Sequence, residues 1–320
     1  MRIVVMKRAL ATLAAAPLLV LAGCGSSDSG TGGGDAALEV SAAFYPLQWV
    51  SQQVGGDLVD VRSLTKPGAE PHDLELTPKD VGELAQSDVV LYLKGFQPAV
   101  DDAVASQAKD AGFEVSVDAD LSLTASEEGH DHAGESADEH ADHAHEGSQD
   151  PHFWLDPVRF EKVATAVGER FATADPEHAA TYRANAVKVV EQLKTLDGEF
   201  RTGLAQCASK ELVTGHAAFA YLAQRYGLSQ EGIAGISPDA EPDAATLRDL
   251  AAHIEEHGVK TVYSETLVSP ALADTLARET GATVQVLDPL EGITDASKGT
   301  DYLEVMRSNL ATLEKGQQCR

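Results

Sequence analysis

Four residues lie where an α/β sheet would present ligands to a metal ion. His216 and Asp288 each close a predicted strand, His72 lies in the loop after another strand, and His152 lies just before a predicted helix. Ligands of open α/β sheets bind beyond the carboxyl ends of the strands, so three of the four are expected on one rim. Three imidazoles and one carboxylate can bind a divalent transition metal in nearly tetrahedral geometry.

The fourth ligand has more than one candidate. We rank Asp288 first, Glu265 second because the predicted strand 260–264 points it toward the same rim, and a water molecule third. Asp288 before Pro289 is also a pattern that begins a turn, and a single histidine at a strand end is more often hydrogen-bonded than metal-bound. The occurrence of such residues in both halves of the chain favours the metal site.

A second group of histidines lies between the first two single ones. Segment 126–149 has eight carboxylates and no aliphatic side chain larger than alanine, so it is expected to be disordered. Its function would be weak auxiliary capture of metal, and the alternative is a solvated low-complexity segment with incidental metal affinity. Its five histidines are His130, His132, His140, His143 and His145.

The elements that must position these residues alternate between strands and helices. This rhythm is typical of parallel sheets and occurs twice, which predicts two similar α/β lobes. The predicted strands are 38–44, 58–64, 89–94 and 113–117 in the first half and 211–214, 260–264 and 283–287 in the second. The predicted helices are 46–54, 78–86, 98–109, 217–226, 244–257, 271–280 and 301–315.

A long amphipathic helix is predicted between the lobes. Asp175-Pro176-Glu177 is a helix-start pattern, and apolar residues then recur at spacings of three or four to about residue 206. About 30 residues at roughly 1.5 Å each make about 45 Å, enough to cross a two-lobed molecule. A shorter helix over 157–172, capped by Asp156, precedes it. A rigid connector of this kind predicts small closure motions.

These features divide the chain into segments. The predicted lobes, loops and linker are 38–125 for the N-terminal lobe, 126–149 for the His-rich loop, 150–174 for the ligand loop and helix of the first lobe, 175–206 for the linker helix and 207–320 for the C-terminal lobe.

The N-terminus predicts export. Three basic residues precede an apolar run over 9–22 that is too short for a permanent membrane span, which is typical of a signal peptide over 1–23. Leu21-Ala22-Gly23-Cys24 resembles the bacterial lipobox, in which Cys24 becomes the lipidated first residue; 24–37 would be a flexible tether. Translation starts at Met1 or Met6. Because exported proteins meet oxidising conditions, Cys207 and Cys319 are expected to form a disulfide.

Charge and length limit the partners and the domain number of the protein. The 320 residues carry 24 Lys and Arg against 51 Asp and Glu, a formal charge of −27, which disfavours nucleic acids as partners. At this length and with 43% hydrophobic residues, two domains with buried cores are feasible.

Five motifs, in order along about 38–315, resemble the zinc- and manganese-binding solute receptors of bacterial ABC importers. They are Gly68-Ala69-Glu70-Pro71-His72-Asp73 with Leu76-Thr77-Pro78, Asp150-Pro151-His152-Phe153-Trp154-Leu155-Asp156-Pro157, Gly215-His216-Ala217-Ala218-Phe219, Tyr226-Gly227-Leu228 and Leu287-Asp288-Pro289-Leu290.

The resemblance implies two α/β lobes joined by a backbone helix, with His72, His152, His216 and Asp288 as metal ligands. Pro71 stands where some zinc-type members have a glutamate, and His216 supplies a third nitrogen where manganese-type members tend to have Glu. Nitrogen donors suit Zn²⁺ better than Mn²⁺. The expected protein is a monomeric, extracytoplasmic lipoprotein, anchored to the cell membrane through Cys24, that passes Zn²⁺ to an ABC permease and its ATPase.

Three other functions are weighed against this one. The first is a manganese receptor of the same family, and the second is an extracellular zinc buffer or adhesin without a transporter. The third is a zinc hydrolase, which needs an open coordination position and a general base. Because four candidate ligands fill a tetrahedron, we expect a protein that is not an enzyme.

Overall fold

The computed structural model describes residues 37–124 and 149–320. The predicted signal peptide, Cys24, most of the tether and the five histidines of 126–149 lie outside the described residues. All the described elements belong to one compact unit, Ala37–Arg320.

Two four-stranded parallel sheets form the framework, as the repeated rhythm predicts. The first has the order β2-β1-β3-β4 and the second the order β6-β5-β7-β8, so both reverse their winding direction beside the first strand. The strands are β1 Leu38–Ala42, β2 Val59–Ser63, β3 Val89–Tyr92, β4 Gly112–Glu114, β5 Glu211–Thr214, β6 Ser229–Gly232, β7 Thr261–Ser264 and β8 Thr283–Val286. In open α/β sheets, ligands generally bind in the crevice beyond the carboxyl ends of the strands at such a reversal.

Helices cover the sheets and connect them. Among the described residues, no helix combines the length and the apolar character that crossing a bilayer requires. The helices are α1 Tyr45–Gly55, α2 Pro78–Leu84, α3 Pro98–Gln107, α4 Ser116–Ala119, α5 Pro157–Ala174, α6 Ala179–Gly203, α7 Ala220–Tyr226, α8 Ala244–His257, α9 Ala271–Thr280 and α10 Tyr302–Gly316.

Strand β6 was not expected from the sequence. Its four residues, Ser-Gln-Glu-Gly, are half-buried or exposed and include no apolar side chain. It pairs only with β5, through backbone groups over Ser229–Gly232. The side chain of Gln230 adds hydrogen bonds from Nε2 to Thr214 Oγ1 and to the His216 carbonyl. An edge strand held by backbone and polar side-chain hydrogen bonds leaves no hydrophobic pattern in the sequence.

The linker helix is shorter than the prediction of 175–206. Pro176–His178 forms a 3₁₀ turn, and α6 then runs for 25 residues, about 38 Å. The Asp175 carboxylate accepts hydrogen bonds from Tyr182 Oη and His178 Nδ1, at 2.8 and 2.7 Å. Because these bonds tie Asp175 to side chains of the following turns, Asp175 does not cap a continuous helix.

Helix α5 lies directly against α6. A Cβ at Gly168 would lie 2.7 Å from Ala186 Cβ, so this position has room only for glycine. The close approach lets the two helices pack tightly along each other beside both sheets.

A single hydrophobic cluster extends from the first lobe through α5 and α6 into the second. Trp154, fully buried, donates from Nε1 to the Pro289 carbonyl at 2.8 Å, and Tyr302 Oη donates to the Trp154 carbonyl at 2.6 Å. A smaller cluster, which includes Leu250 and Ile254, lies within the second lobe. The shared core is consistent with the predicted small closure motions.

The predicted disulfide is confirmed. Cys207, just beyond α6, is bonded to Cys319, just beyond α10. It closes a sequence separation of 112 residues and joins the chain terminus to the end of the linker helix.

Candidate metal centre

Three predicted histidines and one further glutamate converge between the lobes. One potential ligand atom from each of His72, His152, His216 and Glu291 lies within 4.8 Å of all the others. His72 follows β2 and His216 follows β5, while His152 leads into the 3₁₀ turn Phe153–Leu155. The carboxyl ends of strands in both sheets therefore face one crevice, as expected for parallel sheets.

The spacing of the four atoms fits a tetrahedral ion. Glu291 Oε1 lies 3.2 Å from His72 Nε2, 3.1 Å from His152 Nε2 and 3.2 Å from His216 Nε2. The Nε2 atoms of His152 and His216 are 3.3 Å apart. Zinc bonds of about 2.0–2.1 Å in a regular tetrahedron place neighbouring ligand atoms about 3.3–3.4 Å apart. These four of the six separations therefore match a zinc-sized ion, and the other two, from His72 Nε2 to the other Nε2 atoms, are within 4.8 Å.

Carboxylates outside the group orient two of the imidazoles. His152 Nδ1 lies 2.8 Å from Asp150 Oδ1, and His216 Nδ1 lies 2.6 Å from Glu265 Oε2. With the Nδ1 proton donated to the carboxylate, each Nε2 directs its lone pair at the centre. Carboxylate–histidine pairs of this kind fix the tautomer of a metal ligand and raise its basicity.

Lone pairs directed at one point repel each other unless a cation neutralises them. His152 and His216 are fully buried, and Glu291 is 1% exposed, so water cannot screen the repulsion. A proton or a metal ion must therefore occupy the centre. This requirement is the strongest physical evidence for a metal site.

The pKa values of His152, His216 and Glu291 reflect opposing effects of burial and of neighbouring charges. Burial alone would lower the pKa of His216, but Glu265 and Glu291 outweigh it and raise this pKa well above 6.5. Burial likewise opposes protonation of His152, yet hydrogen bonds to Asp150 and Glu291 raise its pKa. The three histidines hold the pKa of Glu291 well below its usual value, against the opposing effect of burial. The centre thus binds positive charge strongly.

His72 differs from the other two histidines. Its side chain is 8% exposed, and burial is the main cause that lowers its pKa. Its ring lies edge-on against Phe96, with the centroids 4.6 Å apart. His72 is therefore the ligand most easily kept neutral at physiological pH.

Asp288, expected first as the fourth ligand, lies outside the group of four. Its Oδ1 accepts from Leu290 N at 2.8 Å and its Oδ2 from Ser297 Oγ at 2.7 Å. Its backbone amide and carbonyl both bond to the Asn309 side chain. Asp288 thus shapes the loop, which is the turn role weighed as its alternative.

Glu291 is the residue that sequence reasoning missed. The loop after β8 turns through Leu290, whose φ of +59° is in the left-handed region, and this directs Glu291 inward. The signal was weak because Glu291 lies three residues beyond the strand-closing aspartate, where strand periodicity no longer specifies direction. Glu265, expected second, contacts His216 and holds it in place.

Glu70 is a further carboxylate beside the centre. Its Oε1 accepts from His72 N at 2.8 Å, and its Oε2 is buried with no hydrogen-bond partner among the described residues. Burial, and next the negative charge of Glu291, raise the pKa of Glu70 to about 8. Glu70 is therefore largely protonated when the Glu291 carboxylate is charged.

Tyr221 of α7 anchors the loop that supplies His152. Its hydroxyl accepts from Ser122 N and Leu123 N and donates to the Asp150 carbonyl, each at 3.2 Å. Thr124 and Gln149 form an antiparallel bridge beside these contacts. A side chain of the second lobe thus holds both chain ends that flank 125–148 and the carboxylate partner of His152.

The fold and the centre together define a class: two-lobed α/β proteins with a buried group between the lobes that can hold a transition metal. The profile of the family described as zinc-uptake complex component A, periplasmic, matches residues 40–316, and the chain belongs to this family.

Individual relatives agree with this assignment. The chain is 38% identical over 285 residues to the zinc-binding protein AdcA of Streptococcus pyogenes serotype M3, covering 86% of this chain and 55% of AdcA. It therefore spans about half the length of that relative. It is 37% identical over 306 residues to the high-affinity zinc uptake system protein ZnuA of Bacillus subtilis, covering 94% of each.

A solved structure shares the fold. The Zn(II)-bound ZnuA-like domain of Streptococcus pneumoniae AdcA superposes with a TM-score of 0.71 at 33% identity. The match covers 88% of this chain and 99% of that domain. The predicted family and the two-lobed α/β fold are confirmed.

Proposed function

We propose that the chain is an extracytoplasmic receptor that binds Zn²⁺ between its lobes and delivers it to the permease of an ABC importer. The observation that carries this proposal is the convergence of three imidazole nitrogens and the Glu291 carboxylate at zinc-like spacing. The names of the relatives, a zinc-binding protein and a high-affinity zinc uptake protein, support the same cargo.

The donor set favours zinc over manganese. Three borderline nitrogen donors and one oxygen suit Zn²⁺, whereas Mn²⁺ prefers oxygen donors and more of them. Glu291 as fourth ligand leaves this preference unchanged, because it replaces one carboxylate by another. We therefore favour zinc over the manganese alternative.

Zinc binding would exchange protons for metal. His152 and His216 must give up any Nε2 proton, while Asp150 and Glu265 retain the hydrogen bonds that orient the rings. Ligands from the first lobe are His72 and His152, and those from the second are His216 and Glu291. A bound ion would consequently cross-link the lobes and stabilise the closed form.

The same set argues for a receptor instead of a hydrolase. Four protein ligands around a tetrahedral ion leave no coordination position for a reacting water. Three of the four residues are buried and the His72 side chain is only 8% exposed, so a substrate larger than an ion would have to displace a ligand. Binding and release of the ion is the chemistry that this arrangement supports.

The remaining parts of the proposal concern location and partners. Export by the signal peptide, lipidation of Cys24 and a monomeric receptor on the cell membrane are inferred from the sequence. The His-rich segment 126–149 would collect zinc weakly near the crevice, where a short tether gives an effective concentration of up to about millimolar. The partner would be an ABC permease with its ATPase.

The decisive experiment is metal analysis of protein exposed to equal zinc and manganese. We expect one tightly held zinc per chain that survives dialysis, and its loss in His216→Ala with the apo fold intact by circular dichroism. His178→Ala, which changes a histidine outside the centre, is the control and should retain the zinc. Manganese in the wild type, or tight zinc in His216→Ala, would contradict the proposal.

A further inference from the structure

A second pair of histidines lies far from the interlobe centre, on helix α8. His253 and His257 are separated by one helical turn, so their side chains share one face. Their rings are tilted by 30° with the centroids 4.2 Å apart. Two histidines at this spacing on one helix face can bind the same transition-metal ion.

A carboxylate faces the pair. Glu211 Oε2, at the start of β5, lies 3.4 Å from His253 Nε2. That nitrogen is shielded from solvent, yet it has no hydrogen-bond partner among the described residues. The separation is close to the spacing of about 3.3–3.4 Å between neighbouring ligands of tetrahedral zinc. An imidazole nitrogen without a hydrogen bond, 3.4 Å from a carboxylate oxygen, can share a cation with that oxygen.

The second histidine has a suitable donor atom. His257 Nδ1 lies 3.0 Å from the His253 carbonyl, so Nδ1 donates its proton there and Nε2 keeps its lone pair. His257 is exposed, and rotation of its side chain can bring Nε2 to an ion held by the other two residues. It also lies in the last turn of α8, where the helix dipole favours a positive charge.

The backbone around these residues is held firmly. Leu250 and Ile254, which neighbour the two histidines on the helix surface, anchor α8 in the second core cluster, and Asp243 caps the helix by accepting from Ala245 N and Thr246 N. The Glu211 carbonyl accepts from Gln317 Nε2 at 2.8 Å. The three ligand-bearing positions are therefore fixed before any ion binds.

We propose that His253, His257 and Glu211 form a second site for a zinc-like divalent ion on the C-terminal lobe. It lies at the amino end of β5, whereas His216 of the interlobe centre follows the carboxyl end, so the two sites share no ligand. Because His257 is exposed and must rotate, this site binds more weakly and exchanges faster than the interlobe centre. It gives the receptor a second, readily reversible position for the ion, independent of the first.

Histidine footprinting with diethylpyrocarbonate tests the proposal on the full-length protein. Trypsin releases residues 249–260 as a peptide that is separate from the His-rich segment. His253 and His257 are the only histidines in this peptide. At a free zinc concentration about ten times the Kd, modification of the exposed His257 should fall roughly tenfold, because a zinc-bound nitrogen is not acylated. His178, in the tryptic peptide 171–183, serves as the internal control and should not change.

Two variants make the result specific. His253→Gln and Glu211→Gln should each weaken zinc protection of His257 severalfold, whereas Glu255→Gln, an exposed acid on the same helix, should not. The one tightly held zinc per chain should survive dialysis in all three, which separates this proposal from the principal one. Unprotected His257 in the wild type, or protection of His257 that is unchanged in His253→Gln, would overturn the second site.

Discussion

At the scale of single residues, the centre depends on which carboxylate faces the imidazoles. Glu291 Oε1 lies within 3.2 Å of all three Nε2 atoms, whereas both oxygens of Asp288 are committed to Leu290 N and Ser297 Oγ. The two acids are only three residues apart, yet only Glu291 directs a carboxylate oxygen at the three imidazoles. Zinc affinity should therefore depend on Glu291.

The first prediction compares these two acids. Glu291→Gln replaces an anionic ligand by a neutral amide and should weaken zinc at least tenfold, within the roughly 10–100-fold range for altered metal surroundings. Asp288→Asn retains one acceptor oxygen and should change the affinity little. Competition titration against a chromogenic chelator measures both. The opposite ranking of the two variants would restore Asp288 as the ligand.

At the scale of elements, α7 contacts the loop that carries His152, a proposed metal ligand. Tyr221 is almost fully buried, and its hydroxyl joins backbone groups on both sides of 125–148 to the Asp150 carbonyl. The Arg159 guanidinium packs on the face of the Tyr221 ring, 4.3 Å from its centroid. Loss of the hydroxyl leaves these backbone groups without their shared partner.

The second prediction follows from that network. Tyr221→Phe should lower the free energy of unfolding by about 1–3 kcal/mol, because the buried donors and the acceptor lose their partner. Hydrogen exchange should increase in 121–124 and 149–152, and zinc should bind more weakly because Asp150 orients His152. Tyr92→Phe, at a half-buried tyrosine in β3, is the control. Unchanged exchange in both segments would show that Tyr221 does not anchor the loop.

At the scale of the whole molecule, the proposed zinc ion would compete with protons for one buried centre that has residues from both lobes. The raised pKa of His216 contributes stability to the apo protein below about pH 6.5, and this contribution is lost as the pH rises through the raised value. Zinc requires the neutral imidazoles, so its binding strengthens over the same range. A rise in pH therefore lowers the stability of the apo protein and raises its affinity for zinc.

The third prediction is that the zinc-induced rise in Tm is larger at about pH 8 than at about pH 6. Each proton displaced weakens zinc by up to about tenfold per pH unit below the raised pKa. Differential scanning fluorimetry with and without one equivalent of zinc measures the shift. Glu265→Gln removes the first cause of the raised His216 pKa and should flatten the dependence. An equal Tm shift at both pH values would contradict the competition.

The sequence alone determined the class of the protein because its signals are local. Repeated strand and helix patterns predicted two parallel α/β lobes, and His72, His152 and His216 were identified at strand ends and a helix start. The bounds of α8 and α9 were predicted to the residue, since an acidic N-cap or a proline begins each helix and a glycine ends it. The disulfide between Cys207 and Cys319 is present as predicted, whereas export and lipidation stay predictions from the N-terminal pattern.

Only the tertiary structure decided what depends on direction beyond the end of a strand. The left-handed turn at Leu290 placed Glu291 at the centre and left Asp288 to hold the loop. The separate helices 157–172 and 175–206 were predicted, but the 3₁₀ turn Pro176–His178 at the start of the second was not, and neither was β6, which pairs with β5. Periodicity specifies a side chain's direction within an element, whereas in a loop that direction results from packing between distant segments.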